Sequence, residues 1–337
     1  MKNLKTIALI STLTLGLAAC GQDTAPEASQ EMGDAKPQAS PQDANPDGEV
    51  HEFDSIIDMD QTGDVLGLRT DSILTVGTID AITSGSATEI PLDDTCTDVS
   101  ANDGKFVITC DTTVRVIDSA TDSESSITTE EPMQSSAIVR SGEIITASGT
   151  ENKAWVYRDG ERVDDFMVQD PTDEMIAVQH DDGQPDSIVR INRLNTTIQD
   201  LDWENGRAGG TLRVGMGIGQ AVPGNDGLVI VSDAMGPQLA IYTVGEVVRL
   251  QQTAPVAADP WGVAWDNNRN LAWIASTSTN TASGYDISNG VPLEQSTVNT
   301  VPDALDMAVL EDGTLVFASA SGAGLQVINP NSVTEEG

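Results

Sequence analysis

Chemistry on a polypeptide needs a nucleophile beside a base, a set of metal ligands, or a cradle for phosphate. Of the first and third the sequence offers little. There are two histidines, His51 and His180, far apart in the chain. No His-Glu-x-x-His, Gly-x-Ser-x-Gly or phosphate loop occurs. Gly215-Met216-Gly217-Ile218-Gly219 is spaced like a dinucleotide turn except that its third glycine comes one residue early and no helical pattern follows, so it reads as a loop. Hard oxygen is plentiful instead, with 53 acidic residues. Asp98, Glu174, Gln220, Asp259, Asp303 and Asp306, together with Ser135, stand where short β-type runs begin. A ring of such groups suits Ca²⁺, although no Asp-x-Asp-x-Asp-Gly loop accompanies them and solvated acids on loops are the plainer reading. No cofactor is expected beyond that ion. Trp261, Val263 and Trp265 alternate onto one face of a run, with Trp273 on the next. They are either a stacking platform for a sugar or aromatic ligand, led by Trp261, or packing.

Cys96 and Cys110 flank a segment centred on Asp103. If Asn102 to Gly104 forms a hairpin turn, the two face each other, and an oxidising compartment would join them as a disulfide. Two buried free thiols are the alternative. Without a Cys-x-x-Cys spacing, a redox-active pair is disfavoured.

The chain begins with Lys2 and Lys5, an apolar run from Ile7 to Leu17, and Leu17-Ala18-Ala19-Cys20. The run is too short for the roughly 20 residues that span a bilayer as a helix, and the zones read as a signal peptide over residues 1–19. Leu17 to Cys20 resembles the bacterial lipobox. That resemblance implies cleavage before Cys20, diacylglycerol on its thiol and often acylation of the freed amine, as with palmitate. It places the protein on the outer face of the bacterial cell membrane, or on the outer membrane of a Gram-negative cell. Two or three acyl chains anchor stably where one does not. Residues 20–48 then read as an acidic, disordered tether with four prolines and an r.m.s. reach of about 30 Å. Residues 49–330 form the domain and 331–337 a disordered tail.

The formal net charge is −37, becoming −39 once Lys2 and Lys5 leave with the signal peptide. Nucleic acid is excluded as a partner, and so is direct attraction to anionic lipid, because both need clustered Lys and Arg.

Within the domain, short runs rich in Val, Ile, Thr and Ser alternate with turn signals, which argues all-β. A phrase of strand, polar turn and strand recurs, with turns marked by Gly104, Gly142, Gly183, Gly227, Asn270 and Gly313 at spacings of 38, 41, 44, 43 and 43 residues. So regular a period in an all-β chain predicts a β-propeller, with one four-stranded blade per unit. A seventh unit fits ahead of the first marker, with strands over 65–68, 73–77, 79–82 and 88–92. The last unit lacks an outer strand, and Glu49 to Phe53 is placed to supply it and close the ring.

Asp259-Pro260-Trp261-Gly262-Val263-Ala264-Trp265-Asp266, and Leu228 to Asp233, resemble repeats of the YVTN and NHL type found in bacterial propellers, including actinobacterial lipoproteins. That family implies a fold and no single activity. The leading expectation is a non-catalytic binding or scaffold module, a monomeric domain that presents one propeller face to a partner protein or envelope component. The alternative is a metal-dependent lactonase or hydrolase, with Asp98, Glu174 and Asp303 as metal ligands. A quinone-cofactor dehydrogenase is a distant third, since its tryptophan docking motifs are missing.

Overall fold

The computed structural model describes residues 32–333 except Asp182. The expectations for the signal peptide, Cys20, residues 21–31 and residues 334–337 lie outside the described residues. The described chain forms seven four-stranded antiparallel sheets. Blades 1 to 6 take residues 58–91, 96–128, 135–167, 174–213, 218–255 and 260–299. Blade 7 takes residues 304–328 and, as its outermost strand, Glu49–His51. Glu49 pairs with Val327 and His51 with Leu325, so the orphan strand closes the ring and covers an open edge, as expected. Gly48 makes the approach possible. Its φ is 71°, and a β-carbon there would lie 2.3 Å from the Val327 carbonyl oxygen.

Seven buried apolar clusters lie one in each interface between adjacent blades. Successive residues of a strand point to opposite faces of the sheet. In blade 6, Val263, Ala272 and Ile274 pack toward blade 5, while Ala264, Trp273 and Ala275 pack toward blade 7. Both faces are therefore core, and runs such as Leu271–Ser276 are buried throughout.

All six turn markers have positive φ, from 54° at Asn270 to 100° at Gly142, which gives the period its physical cause. Gly63, with φ 58°, is a seventh marker, 41 residues ahead of Gly104. It corrects the strands expected of blade 1. The innermost strand is Asp58–Thr62, followed by Val65–Arg69, Ile73–Gly77 and Thr88–Pro91. Residues 79–82 belong to a helix, Ile79–Ser84, and not to a strand. Thr78 caps it by accepting from the Ala81 amide, and Gly85 ends it in the left-handed region at φ 71°. These local signals outweigh the β-branched look of Ile79 and Ile82.

Cys96 and Cys110 are joined by a disulfide, with a sulfur–sulfur distance of 2.06 Å. The hairpin turn is Asp103-Gly104, and its register sets Asn102 against Lys105 and Asp98 against Thr109. Continued unbroken, that register would put Thr97, not Cys96, opposite Cys110. A bulge between Cys96 and Asp98 slips it by one residue and brings the cysteines together.

The disordered-tether expectation does not extend over residues 32–48. This segment crosses the propeller face that carries the starts of the innermost strands. The Gly33 amide donates to the Met216 carbonyl at 2.7 Å and the Asp34 amide to that of Arg193 at 2.8 Å. Asp303 accepts from the Ser40 amide at 2.7 Å, Asn280 donates to the Pro41 carbonyl at 2.7 Å, and the Asn299 amide donates to Asp47 at 2.7 Å. Backbone and carboxylate hydrogen bonds hold what its composition could not hold by apolar burial. At the other end, residues 330–332 form a 3₁₀ turn, where a disordered tail was expected from residue 331.

Candidate functional site at the mouth of the central channel

The first residues of the innermost strands converge on one face around a cavity of about 470 Å³. Blade 1 contributes Asp58 and Asp60, blade 2 Asp98, blade 4 Glu174, blade 5 Gln220, blade 6 Trp261 and blade 7 Asp306. In blades 2, 5, 6 and 7 the innermost strand carries a register break at this end, between Cys96 and Asp98, Ile218 and Ala221, Pro260 and Val263, and Ala304 and Asp306. A bulge leaves one residue unpaired and re-aims its neighbours. Here the breaks interrupt strict alternation where Thr97, Gln220, Trp261 and Leu305 meet the cavity.

Six carboxylates, the sixth being Asp173 next to Glu174, and two guanidinium groups share this space. Arg193 donates to Glu174 Oε2 at 2.6 Å and to the Gly219 carbonyl. Arg69 donates to the Cys96 and Thr97 carbonyls at 2.5 and 3.0 Å. Asp98 Oδ2 accepts from Ser135 Oγ at 2.6 Å, and Ser135 in turn accepts from the Met175 amide. Asp306 accepts from the Gln220 side-chain amide. Burial pushes the Asp58 carboxyl up to about 6 against the pull of Arg69. Burial, and then the charge of Asp58, carries Asp306 to about 8. Burial and the neighbouring acids hold Asp60 and Asp98 well above the usual carboxylate range, and burial raises Glu174 against the opposing Arg193. Removing carboxylates from water disfavours their charged form, and each ionised neighbour adds to the cost. The cluster therefore retains protons near neutral pH. Among the described residues, no three histidine, cysteine, aspartate or glutamate side chains are grouped to hold one metal ion.

No protein-family model matches the chain, and no curated protein matches it. Solved structures do. A chain of the mitotic checkpoint complex superposes with a TM-score of 0.61 at 14% identity, covering 96% of this chain and 98% of that one. The WD40 domain of Neurospora crassa Pan2 gives 0.58 at 13% identity, with 82% and 88% covered. The WD40 propeller domain of Doa1 gives 0.56 at 11% identity, with 89% and 98% covered. At such identities the likeness is one of fold, a seven-bladed propeller.

Of the residues singled out in the sequence, the propeller brings Asp98, Glu174, Gln220, Trp261 and Asp306 together at the mouth and leaves Asp259 and Asp303 outside it. Asp303 holds the N-terminal segment through the Ser40 amide and Gln42, so it does not stand with Asp98 and Glu174 as a ligand set. Asp259 occupies the matching turn of blade 6. Both have positive φ, 53° at Asp259 and 52° at Asp303, and both carbonyls accept an amide from the following hairpin. The tryptophans do not share one platform. Trp261 lines the mouth, Trp265 lines the far end of the channel, and Trp273 is fully buried between blades 6 and 7. His51 lies on the outermost strand of blade 7, while His180 on blade 4 meets Ser187 Oγ at 2.9 Å. Residues 215–217 join blades 4 and 5, and the Met216 and Gly217 amides donate to Asp233.

Sequence reading missed Asp58, Asp60, Arg69, Arg193 and Lys36, all of which line the cavity. The signal for the first two was Gly63, whose turn makes Asp58-Met59-Asp60 the innermost strand of a blade.

Proposed function

We propose that the chain is a lipid-anchored binding module of the bacterial cell envelope, which holds a partner at the mouth of its central channel. One observation carries this reading. Six carboxylates, two arginines, Lys36 and Trp261 line one cavity at the mouth, with no histidine, cysteine or serine among its lining residues. Such a lining can hold and orient a ligand. A partner that presents a cationic group, whether a basic side chain, an amine or a Ca²⁺ ion, would draw protons off the raised carboxyls as it binds. Leu17 to Cys20 supports the anchor, and the Pro260 to Asp266 and Leu228 to Asp233 phrases support a place among YVTN- or NHL-type propeller lipoproteins.

Capture from membranes after gentle crosslinking tests this. The full-length protein is expected to retain a partner that Asp98→Asn/Asp306→Asn loses, while Cys20→Ala appears in the soluble fraction. Identical partners for wild type and the channel variant, at equal expression, would remove the channel mouth as the binding site.

A further inference from the structure

Residues 33–40 read Gly-Asp-Ala-Lys-Pro-Gln-Ala-Ser, a run without a large apolar side chain, in which Pro37 biases Lys36 to extended backbone. It is tied to the blades at its two ends. At one end the Gly33 and Asp34 amides donate to the Met216 and Arg193 carbonyls. Ala35, 5% exposed, sits there over Gly217, where an added β-carbon would lie 3.0 Å from its own. At the other end the Ser40 amide donates to Asp303 Oδ1 at 2.7 Å and the Asp303 amide to Ser40 Oγ at 2.8 Å. Between these ends Lys36 to Ala39 are exposed, and among the described residues their one hydrogen bond runs from Lys36 to Asp34 within the run itself. Yet Ala35, Lys36 and Pro37 line the same cavity as Glu174, Trp261 and Asp306. From Asp34 to Ser40 the chain bridges the mouth in six peptide steps, at most about 20 Å. The two attachments are unequal. Beyond Ser40 the chain is held again, by Asn280 at Pro41 and by Asn299 and Gln326 at Asp47. At the Arg193 end the described hold is two backbone hydrogen bonds and one methyl group, and backbone with so few apolar contacts opens locally at little cost.

We infer that residues 33–39 are a strap that closes the channel mouth, hinged at Ser40 and released at Ala35, and that a partner reaches the cup by displacing it. This rests on the mouth being the binding site. Arg193 joins strap and cup, since its carbonyl holds Asp34 while its guanidinium holds Glu174. A partner that engages Glu174 thus acts on the residue that keeps the strap shut.

Two measurements on the full-length protein test the strap. In native-state hydrogen exchange, the Gly33 and Asp34 amides should exchange at least about tenfold faster than the Ser40 amide, which stays bonded at the hinge. Equal protection of the three would make the segment a fixed part of the face and overturn the inference. Acrylamide quenching of Trp261, taken as the difference between each protein and its Trp261→Phe counterpart, reads access to the cup. Ala35→Glu sets a long acid against Gly217 and the acidic cup, and should raise the Trp261 quenching constant about twofold by opening the strap. Ala39→Glu makes the same change at an exposed position and should leave the constant at its wild-type value. Unchanged quenching in Ala35→Glu, or an equal rise in both variants, overturns the strap and leaves the mouth as the binding site. Partner capture that survives Asp98→Asn/Asp306→Asn overturns the site itself, even where the quenching difference is found.

Discussion

The two ends of the central channel are built from the same strands and differ in how many carboxylates they carry. At the mouth, six carboxylates surround about 470 Å³. At the far end a space of about 110 Å³ is lined mostly by apolar residues, among them Ala101, Val222, Val263, Ala264 and Trp265, with Gln61. Met59, Asp60, Val222 and Met307 border both. The register breaks account for part of the change. Four innermost strands start with a bulge that turns Thr97, Gln220, Trp261 and Leu305 to the cavity, whereas Asp58, Asp60 and Glu174 stand on the unbroken innermost strands of blades 1 and 4.

The sharpest way to break this contrast is to move a carboxylate across it. Val263 is fully buried between blades 5 and 6 beside Ile274 and Ile241. Val263→Asp buries a charge with no partner, and a loss of at least about 3 kcal/mol is expected, read as a large drop in thermal midpoint or as insoluble protein. A variant that melts within a degree or two of wild type would show the far end to be as tolerant of charge as the mouth.

How much of this was legible depended on whether a signal was local. The period, the ring closure and the cysteine pair were, because left-handed turn residues and an orphan strand leave marks in one sequence. The cysteines were paired for an incomplete reason, since symmetry about Asp103 gives the right partners only because a bulge offsets the true two-residue turn. Blade 1 was misread because its innermost strand, Asp58–Thr62, is polar at every position but Met59 and resembled the tether before it. Asp303 was misplaced because its role depends on Ser40, 263 residues away. Contacts of that separation have no signature in composition.

A smaller effect comes from the mouth itself. Asp306 is 3% exposed, and its carboxyl is raised to about 8. Between its ordinary value and that one, the folded state holds a proton that the unfolded state has released. Stability from this group is therefore complete at low pH and is lost as pH rises toward 8, at about 1.4 kcal/mol per unit within the window. The thermal midpoint should fall by several degrees from pH 6 to pH 8. Asp306→Asn keeps an acceptor for Gln220 and should flatten that slope. An unchanged slope in the variant would assign the pH dependence to groups other than Asp306.

The smallest expected effect on stability carries the most weight for function, and it comes from comparing two tryptophans of one blade. Trp273 is fully buried, and its truncation to alanine should cost about 3–5 kcal/mol. Trp261 is only half-buried, with its ring near Gly219, 3.4 Å from where a β-carbon there would sit. Its backbone carbonyl accepts from Ser232 Oγ at 2.6 Å, so the bulge that positions it survives loss of the side chain. Trp261→Ala should therefore cost no more than about 1 kcal/mol while removing the aromatic wall of the cavity. A fall of many degrees in melting with partner capture intact would make Trp261 a packing residue like Trp273, whereas near-normal melting with capture lost would assign the cup at the mouth its ligand-contacting wall.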